Sequence, residues 1–114
     1  MRNIDLSIVT NAVKDSLIKI NYNLDNGLVR LLEKARNKET NDTAKSILGD
    51  ILENQDIARK GQIPLCQDTG VVVIFLEIGS QVHFDGDIYQ AINEGVKLGY
   101  EEGYLRKSMV FHPF

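Results

Sequence analysis

The run Val71-Val72-Val73-Ile74-Phe75-Leu76 changes the character of the chain, because it is continuously apolar and rich in β-branched residues. Such a run is typical of a strand that is covered on both faces. After it, Gly79-Ser80 indicates a turn, and residues 81–84 alternate weakly enough to be a short second strand. Asp85-Gly86-Asp87 then indicates a further turn and a helix cap. These signals predict a short sheet in the second half of the 114-residue chain.

Three amphipathic helices are predicted before this run. Apolar residues recur there at steps of three and four in three segments: residues 4 to about 24, 28 to 35, and 44 to about 61. Asp25 can cap the second segment, and Thr40-Asn41-Asp42-Thr43 is a cluster of capping residues before the third. We therefore expect a helical layer over residues 1–61.

A fourth helical pattern follows the predicted sheet, from residue 88 to about residue 100. On it, small residues recur every fourth position: Ala91, Gly95, Gly99 and Gly103. Each interior glycine costs about 1 kcal/mol of helix stability relative to alanine, which favours a close approach by a neighbouring backbone as its reason. Alternatively, the last of these glycines simply ends the helix.

This order of elements predicts an α+β or α/β fold, with a three-helix layer, a short buried strand region and a glycine-striped helix. The sheet is short for the helices it must face, so we expect more chain, or another subunit, to complete it. The chain is 43% hydrophobic and 25% charged, which is ordinary for a globular domain.

The charge and hydropathy patterns exclude two classes of partner. The chain has 13 basic and 16 acidic residues and a net charge of −3, without the basic stripe that a nucleic-acid partner requires. Its longest apolar run, residues 71–76, is far too short to cross a bilayer, and the start of the chain lacks a signal peptide's apolar region. We expect a cytoplasmic protein that binds neither nucleic acid nor membrane.

The segment richest in chemistry is Pro64-Leu65-Cys66-Gln67-Asp68-Thr69-Gly70, between the third helix and the predicted strand. Cys66 is the single cysteine, so it can be a metal ligand, a nucleophile or core filling, but not half of an internal disulfide. Asp68 can exchange protons or hold a hydroxyl, and Gly70 permits close approach to the backbone. A tight turn with a buried thiol fits these residue types equally well.

Arg106 is the second candidate, in Arg106-Lys107-Ser108 after the striped helix. Its guanidinium could hold a dicarboxylate in a bidentate fork, whereas Lys107 is more simply a solvated complement to the helix dipole. His83 and His112 could join Cys66 in a zinc site, but their spacing matches no compact Cys/His motif. His83 as a base for a nucleophilic Cys66 has no local support.

Taken together, these segments resemble the α-type domain of class I fumarases and tartrate dehydratases. The resemblance spans nearly the whole chain and rests on four segments: residues 51–54 with 57–58, residues 64–70, residues 91–96 with 99–100, and residues 105–108. It implies that residues 1–114 are the N-terminal part of a larger catalytic domain, with a helical layer over 1–61 and the cluster-ligand loop, strand and helix over 62–114. Because the family's region runs well beyond Phe114, we expect a fragment that is inactive alone.

The resemblance also implies a cofactor and a set of site residues. In the family, three cysteines hold a 4Fe–4S cluster whose open iron binds substrate. Cys66 corresponds to one of these three ligands. Gln67 and Asp68 correspond to substrate contacts, the latter also as a catalytic residue, and Arg106 corresponds to the arginine that binds a substrate carboxylate.

The activity implied by the resemblance is reversible hydration of fumarate to (S)-malate, with the open cluster iron acting as a Lewis acid on the hydroxyl. L(+)-tartrate dehydration to oxaloacetate is the alternative, and a non-catalytic helical interaction module is an alternative of another class. The expected partners are a small dicarboxylate substrate and a β-type subunit or C-terminal domain, in a homo- or hetero-oligomer.

Overall fold

The structure is a computed structural model that describes residues 1–65 and 70–106. Its elements are, in chain order, β1 (Arg2–Ile4), α1 (Leu6–Tyr22), α2 (Asn26–Lys38), α3 (Asp42–Gly61), β2 (Val82–Phe84) and α4 (Ile88–Glu102). The mostly helical chain with a small sheet confirms the α+β expectation, and each predicted helix is present. None of the helices among the described residues is long and apolar enough to cross a membrane.

Three of the helices begin at the predicted caps. The Asp25 carboxylate accepts a hydrogen bond from the Gly27 backbone N–H at 3.0 Å at the start of α2. The Asn41 side chain accepts from the Ala44 N–H at 3.0 Å in α3, and Asp87 accepts from the Tyr89 N–H at 2.9 Å in α4. Each cap satisfies backbone donors that the first turn of a helix leaves unpaired.

The chain divides into two compact units. The first unit comprises Met1–Ile18 with Asp68–Phe114, and the second comprises Lys19–Gln67. Within the first unit, β1 and β2 form a parallel pair in which Arg2 lies opposite Val82 and Ile4 opposite Phe84. β2 was expected, whereas β1 was not, because a three-residue strand leaves almost no pattern in a sequence.

The glycine stripe of α4 packs against α1 in the first unit. A Cβ added to Gly95 would lie 2.6 Å from the Thr10 carbonyl oxygen, and one added to Gly99 would lie 2.9 Å from Leu17 Cδ2. The Thr10 hydroxyl donates to the Ala91 carbonyl at 2.8 Å. The predicted close approach is therefore confirmed. Gly103 combines the close approach with the helix end that was the alternative. It is the C-cap of α4, and a Cβ on it would lie 2.9 Å from Ile18 Cγ1.

The prediction of a buried strand at residues 71–76 is wrong for this chain alone. This segment has no strand assignment, and its side chains are exposed, to 65% at Val71 and 94% at Phe75. A strand exists only when a neighbour accepts and donates backbone hydrogen bonds, and no strand of the described chain pairs with these residues. The side chains of this segment favour β structure, but a strand also needs a neighbouring strand to pair with, which local composition does not reveal.

The second unit contains the helical pair α2 and α3. The α3 helix buries Leu52, Gln55 and Ala58, whereas α2 buries no residue. The apolar face predicted on α3 is covered only in part, since Ile47 is 54% exposed and Ile51 is 41% exposed.

Candidate functional site

Three of the four predicted site residues, Cys66, Gln67 and Asp68, lie outside the described residues, as do Lys107, Ser108 and His112. The structure describes the backbone on both sides of residues 66–69, and it describes Arg106. Whether Arg106 reaches the other three residues therefore stays a prediction.

The segment that leads to Cys66 begins at the end of α3. Gln62 adopts a left-handed conformation with φ 52°, and the backbone N–H groups of Gln62 and Ile63 both donate to the Ala58 carbonyl. The Gln62 side-chain amide also donates to the Arg59 carbonyl at 2.7 Å. This reversal is of the Schellman type, in which a left-handed residue lets the chain satisfy the last carbonyls of the helix.

Leu65, the residue before Cys66, is held in place by its backbone and its side chain. Its backbone N–H donates to the Asn21 carbonyl at 2.8 Å, and its side chain is only 8% exposed. On the far side, Gly70 has φ +60°, a conformation that residues with a Cβ rarely adopt. No described atom lies within 4 Å of a Cβ placed there, so among the described residues the reason for a glycine is its backbone conformation.

Arg106 follows a helix end of the same type. Tyr104 is left-handed with φ 55°, and the Leu105 N–H donates to the Tyr100 carbonyl at 3.1 Å. Leu105 is buried at 5% exposure, and the exposed Arg106 comes next. A buried leucine thus immediately precedes both Cys66 and Arg106, after a left-handed residue that is not glycine.

Sequence reasoning missed the left-handed conformations of Gln62 and Tyr104. A glycine is the usual signal for a left-handed helix end, and neither position has one. The left-handed conformation costs a residue with a Cβ about 1 kcal/mol, and such strain is often kept where a functional segment must leave a helix in a fixed direction.

Among the described residues, the pKa is shifted at two exposed carboxyls, those of Asp5 and Asp56. A hydrogen bond from Lys60, followed by its charge and a hydrogen bond from Arg59, lowers the pKa of Asp56. Hydrogen bonds from Ser7, of which the backbone one is the larger, lower the pKa of Asp5. Both shifts have ordinary structural causes, so neither carboxyl is a candidate catalytic group.

The histidine alternatives gain no support. His83 Nε2 lies 3.2 Å from Asp85 Oδ1 on the surface. Over residues 1–65 and 70–106, no group of three or more His, Cys, Asp or Glu side chains could hold a metal ion. The zinc site and the Cys66–His83 pair stay untested hypotheses, since Cys66 and His112 fall outside those ranges.

Two open grooves lie within the described units. One, of about 590 Å³, lies between α2 and α3 and is lined by Glu33, Arg36, Glu53, Asp56 and Arg59 among others. The other, of about 510 Å³, lies beside the starts of α1 and α4 and includes Thr10, Asp85, Asp87 and Glu94. Neither groove is lined by Arg106.

Comparison with known proteins gives a family match over most of the chain. The sequence model of the family described as "Fumarate hydratase (Fumerase)" matches residues 10–114. Over 84 residues, or 72% of the chain, the sequence is 45% identical to the "Putative L(+)-tartrate dehydratase subunit alpha" of Methanocaldococcus jannaschii. Over 73 residues, or 64% of the chain, it is 38% identical to the aerobic class I fumarate hydratase of Escherichia coli strain K12.

A third relative, the L(+)-tartrate dehydratase subunit alpha of Escherichia coli strain K12, is 24% identical over 102 residues, or 90% of the chain. The chain covers only part of each relative: 29% of the Methanocaldococcus protein, 13% of the fumarate hydratase and 34% of the Escherichia coli tartrate dehydratase subunit.

Proposed function

Because the chain belongs to the fumarate hydratase (Fumerase) family, we propose that it supplies one cluster ligand and part of the substrate pocket of an iron–sulfur hydro-lyase. The observation that carries this proposal is the extent of the family match, since residues 10–114 include both Pro64–Gly70 and the Leu105-Arg106 element. In this proposal the chain corresponds to the N-terminal part of the family's catalytic domain.

The proposed reaction is reversible hydration of fumarate to (S)-malate. Moving water on or off such a substrate needs a group that exchanges a proton with carbon and cations that hold the two carboxylates. Arg106 is the proposed cation for one carboxylate, and its guanidinium suits that task because two parallel N–H groups match the two carboxylate oxygens. Gln67 and Asp68 are the proposed contacts to the rest of the substrate, and Asp68 is the proposed proton-exchanging residue of this chain.

L(+)-tartrate dehydration to oxaloacetate is the second candidate. It is favoured by one observation: identity to the tartrate dehydratase relative from Methanocaldococcus is 45%, against 38% for the class I fumarate hydratase. Malate, the hydrated form of fumarate, differs from tartrate by one hydroxyl, and a site discriminates strongly between them only when it has a polar group for that hydroxyl.

The chain offers the right type of ligand for the cluster, a cysteine thiolate, but fewer than the three that the cluster requires. A thiolate is the usual protein ligand of iron in such clusters, and Cys66 offers one. The chain has one cysteine, whereas the family arrangement needs three. We therefore propose that the other two thiolates come from the rest of the enzyme, in a C-terminal domain or a separate subunit.

The proposal is tested by anaerobic reconstitution. The chain is produced together with the Methanocaldococcus relative from which the matched 84 residues have been deleted. Iron and sulfide are then supplied, and consumption of fumarate and of L(+)-tartrate is measured in parallel. We expect a cluster spectrum and turnover of one of the two substrates, whereas the chain alone should give no turnover.

Cys66→Ser is the decisive variant in this assay. It should remove the cluster spectrum and the turnover together, because an alcohol is a poor ligand for cluster iron. The proposal fails if the wild-type assembly shows no cluster spectrum. It also fails if the assembly that carries Cys66→Ser consumes substrate at the wild-type rate. A non-catalytic interaction module would bind its partner equally well with either residue.

A further inference from the structure

Residues 71–78 present an apolar surface that is unusual for a folded chain. Their large apolar side chains are all at least 41% exposed apart from that of Val72, and Phe75 is 94% exposed. The segment contains one charged residue, Glu77, and no proline. Contiguous apolar surface of this kind marks a place where other protein binds.

The order of these side chains along the chain indicates the environment in which the segment would be buried. In an extended chain, successive side chains point to opposite faces. One face would then carry Val71, Val73 and Phe75, with the charged Glu77 at its C-terminal end. The other face would carry four apolar residues, namely Val72, Ile74, Leu76 and Ile78. A strand that is apolar on both faces is typical of the interior of a sheet with protein on each side, not of an edge with one face in water.

The segment is tied to the small sheet of the first unit. The Val82 N–H donates to the Gly79 carbonyl at 3.1 Å, which closes a turn between the segment and β2. β2 in turn pairs with β1. The C-terminal end of the segment is therefore held next to an existing sheet.

We propose that residues 71–78, which pair with no strand in the described chain, form an interior β-strand when the rest of the Fumerase domain covers them. A second copy of this chain, paired along one edge, would still leave both apolar faces in water. The rest of the domain can supply a neighbouring strand and cover for the faces, and the chain covers only 29% of its Methanocaldococcus relative. The proposal rests on family membership and is independent of the substrate.

Hydrogen exchange of the backbone amides tests this proposal directly. The chain is measured alone, at several concentrations, and together with the Methanocaldococcus relative from which the matched 84 residues have been deleted. Alone, the amides of residues 71–78 should exchange rapidly at every concentration. In the assembly their exchange should slow by about 100-fold, because paired strand amides exchange only when the structure opens.

A pair of aromatic substitutions identifies the surface. Phe75→Glu should abolish co-purification with the added polypeptide, whereas Tyr89→Glu should not, although Tyr89 is also 77% exposed in the first unit. Both variants should leave the stability of the chain alone unchanged, since both side chains lie in water.

Several results would overturn the proposal. Among them are the absence of a complex, unchanged exchange at residues 71–78 within the complex, and equal loss of assembly in both variants. Protection that arises with increasing concentration of the chain alone would instead make a second copy the occupant. The readout needs neither a cluster nor turnover, so its failure is distinguishable from failure of the proposed hydro-lyase function.

Discussion

A single methyl group at Gly95 would meet the Thr10 carbonyl oxygen at 2.6 Å and the Val13 Cβ at 2.8 Å. Both atoms are part of, or directly attached to, the backbone of α1, so the two helices would have to separate. We expect Gly95→Ala to lower the free energy of unfolding by about 1–3 kcal/mol, as overpacking typically does. Urea denaturation followed by circular dichroism measures the change.

Gly49 provides the matched control, because it lies inside α3 and a Cβ there would meet nothing within 4 Å. Gly49→Ala should therefore raise the free energy of unfolding by about 0.5–1 kcal/mol, the helix-propensity difference alone. A stabilising effect of the same size at Gly95 would contradict the close packing of α4 on α1.

Tyr104 holds a left-handed conformation with φ 55° although its side chain is 84% exposed. Tyr104→Gly should remove most of the cost of this conformation and stabilise the chain by about 1 kcal/mol. Tyr104→Ala removes the same exposed ring but keeps the Cβ, and it should change stability much less. Thermal unfolding of both variants measures the difference, and an alanine variant more stable than the glycine variant would exclude this helix end.

Among the helices, α3 ends with an ion-pair cluster whose contribution depends on pH. The Asp56 carboxylate lies 3.1 Å from Lys60 Nζ and 3.0 Å from Arg59 Nη2, and these contacts lower its pKa below the ordinary value of 3.8. Because the folded pKa is below the unfolded one, the stabilisation is complete well above pH 3.8 and is lost as the pH falls through the folded pKa.

Asp56→Asn should accordingly lower the urea midpoint at pH 6, and the difference from wild type should vanish as the pH falls below 3.8. Asp50→Asn on the same helix serves as the matched control. The assignment would be excluded if the difference between Asp56→Asn and wild type stayed constant from pH 6 to pH 2.

The elements differ in how far the sequence could predict them. Helices carry their own hydrogen bonds, so the apolar period and the caps at Asp25, Asn41 and Asp87 predicted them well. Strands depend on a neighbour that can be distant in the chain. The parallel partner of Arg2 is Val82, and no local pattern reveals such a pairing. Residues 71–76 have the composition of a strand but no neighbour among the described residues.

The candidate site was predictable to a different degree. The local chemistry of Cys66 and Arg106 made them candidates, and the family resemblance implied their roles. The left-handed conformations of Gln62 and Tyr104, in the segments that lead to these two residues, could not be predicted, because such a residue without a glycine signal is determined by how the chain folds back over the helix end. In both cases the buried leucine that follows, Leu65 or Leu105, was visible only as one apolar residue among many.

At the scale of the whole enzyme, Arg106 is the residue that we propose binds a substrate carboxylate. We predict that Arg106→Lys, in the reconstituted assembly, raises KM for the dicarboxylate substrate at least about tenfold. Lysine keeps the charge but loses the planar fork, and one charged hydrogen bond accounts for about 1.5 kcal/mol. The contact would be present in the bound substrate as well as in the transition state, so kcat should change little. Steady-state kinetics separates the two constants.

Arg59→Lys is the matched control, since Arg59 is an exposed arginine whose partner, Asp56, belongs to the second unit. It should leave KM unchanged. Equal effects of the two substitutions would point to a general electrostatic attraction of the anionic substrate, which added salt would weaken in both variants. A wild-type KM in Arg106→Lys would exclude a bidentate carboxylate contact, whereas a large loss of kcat with unchanged KM would assign Arg106 to the transition state alone.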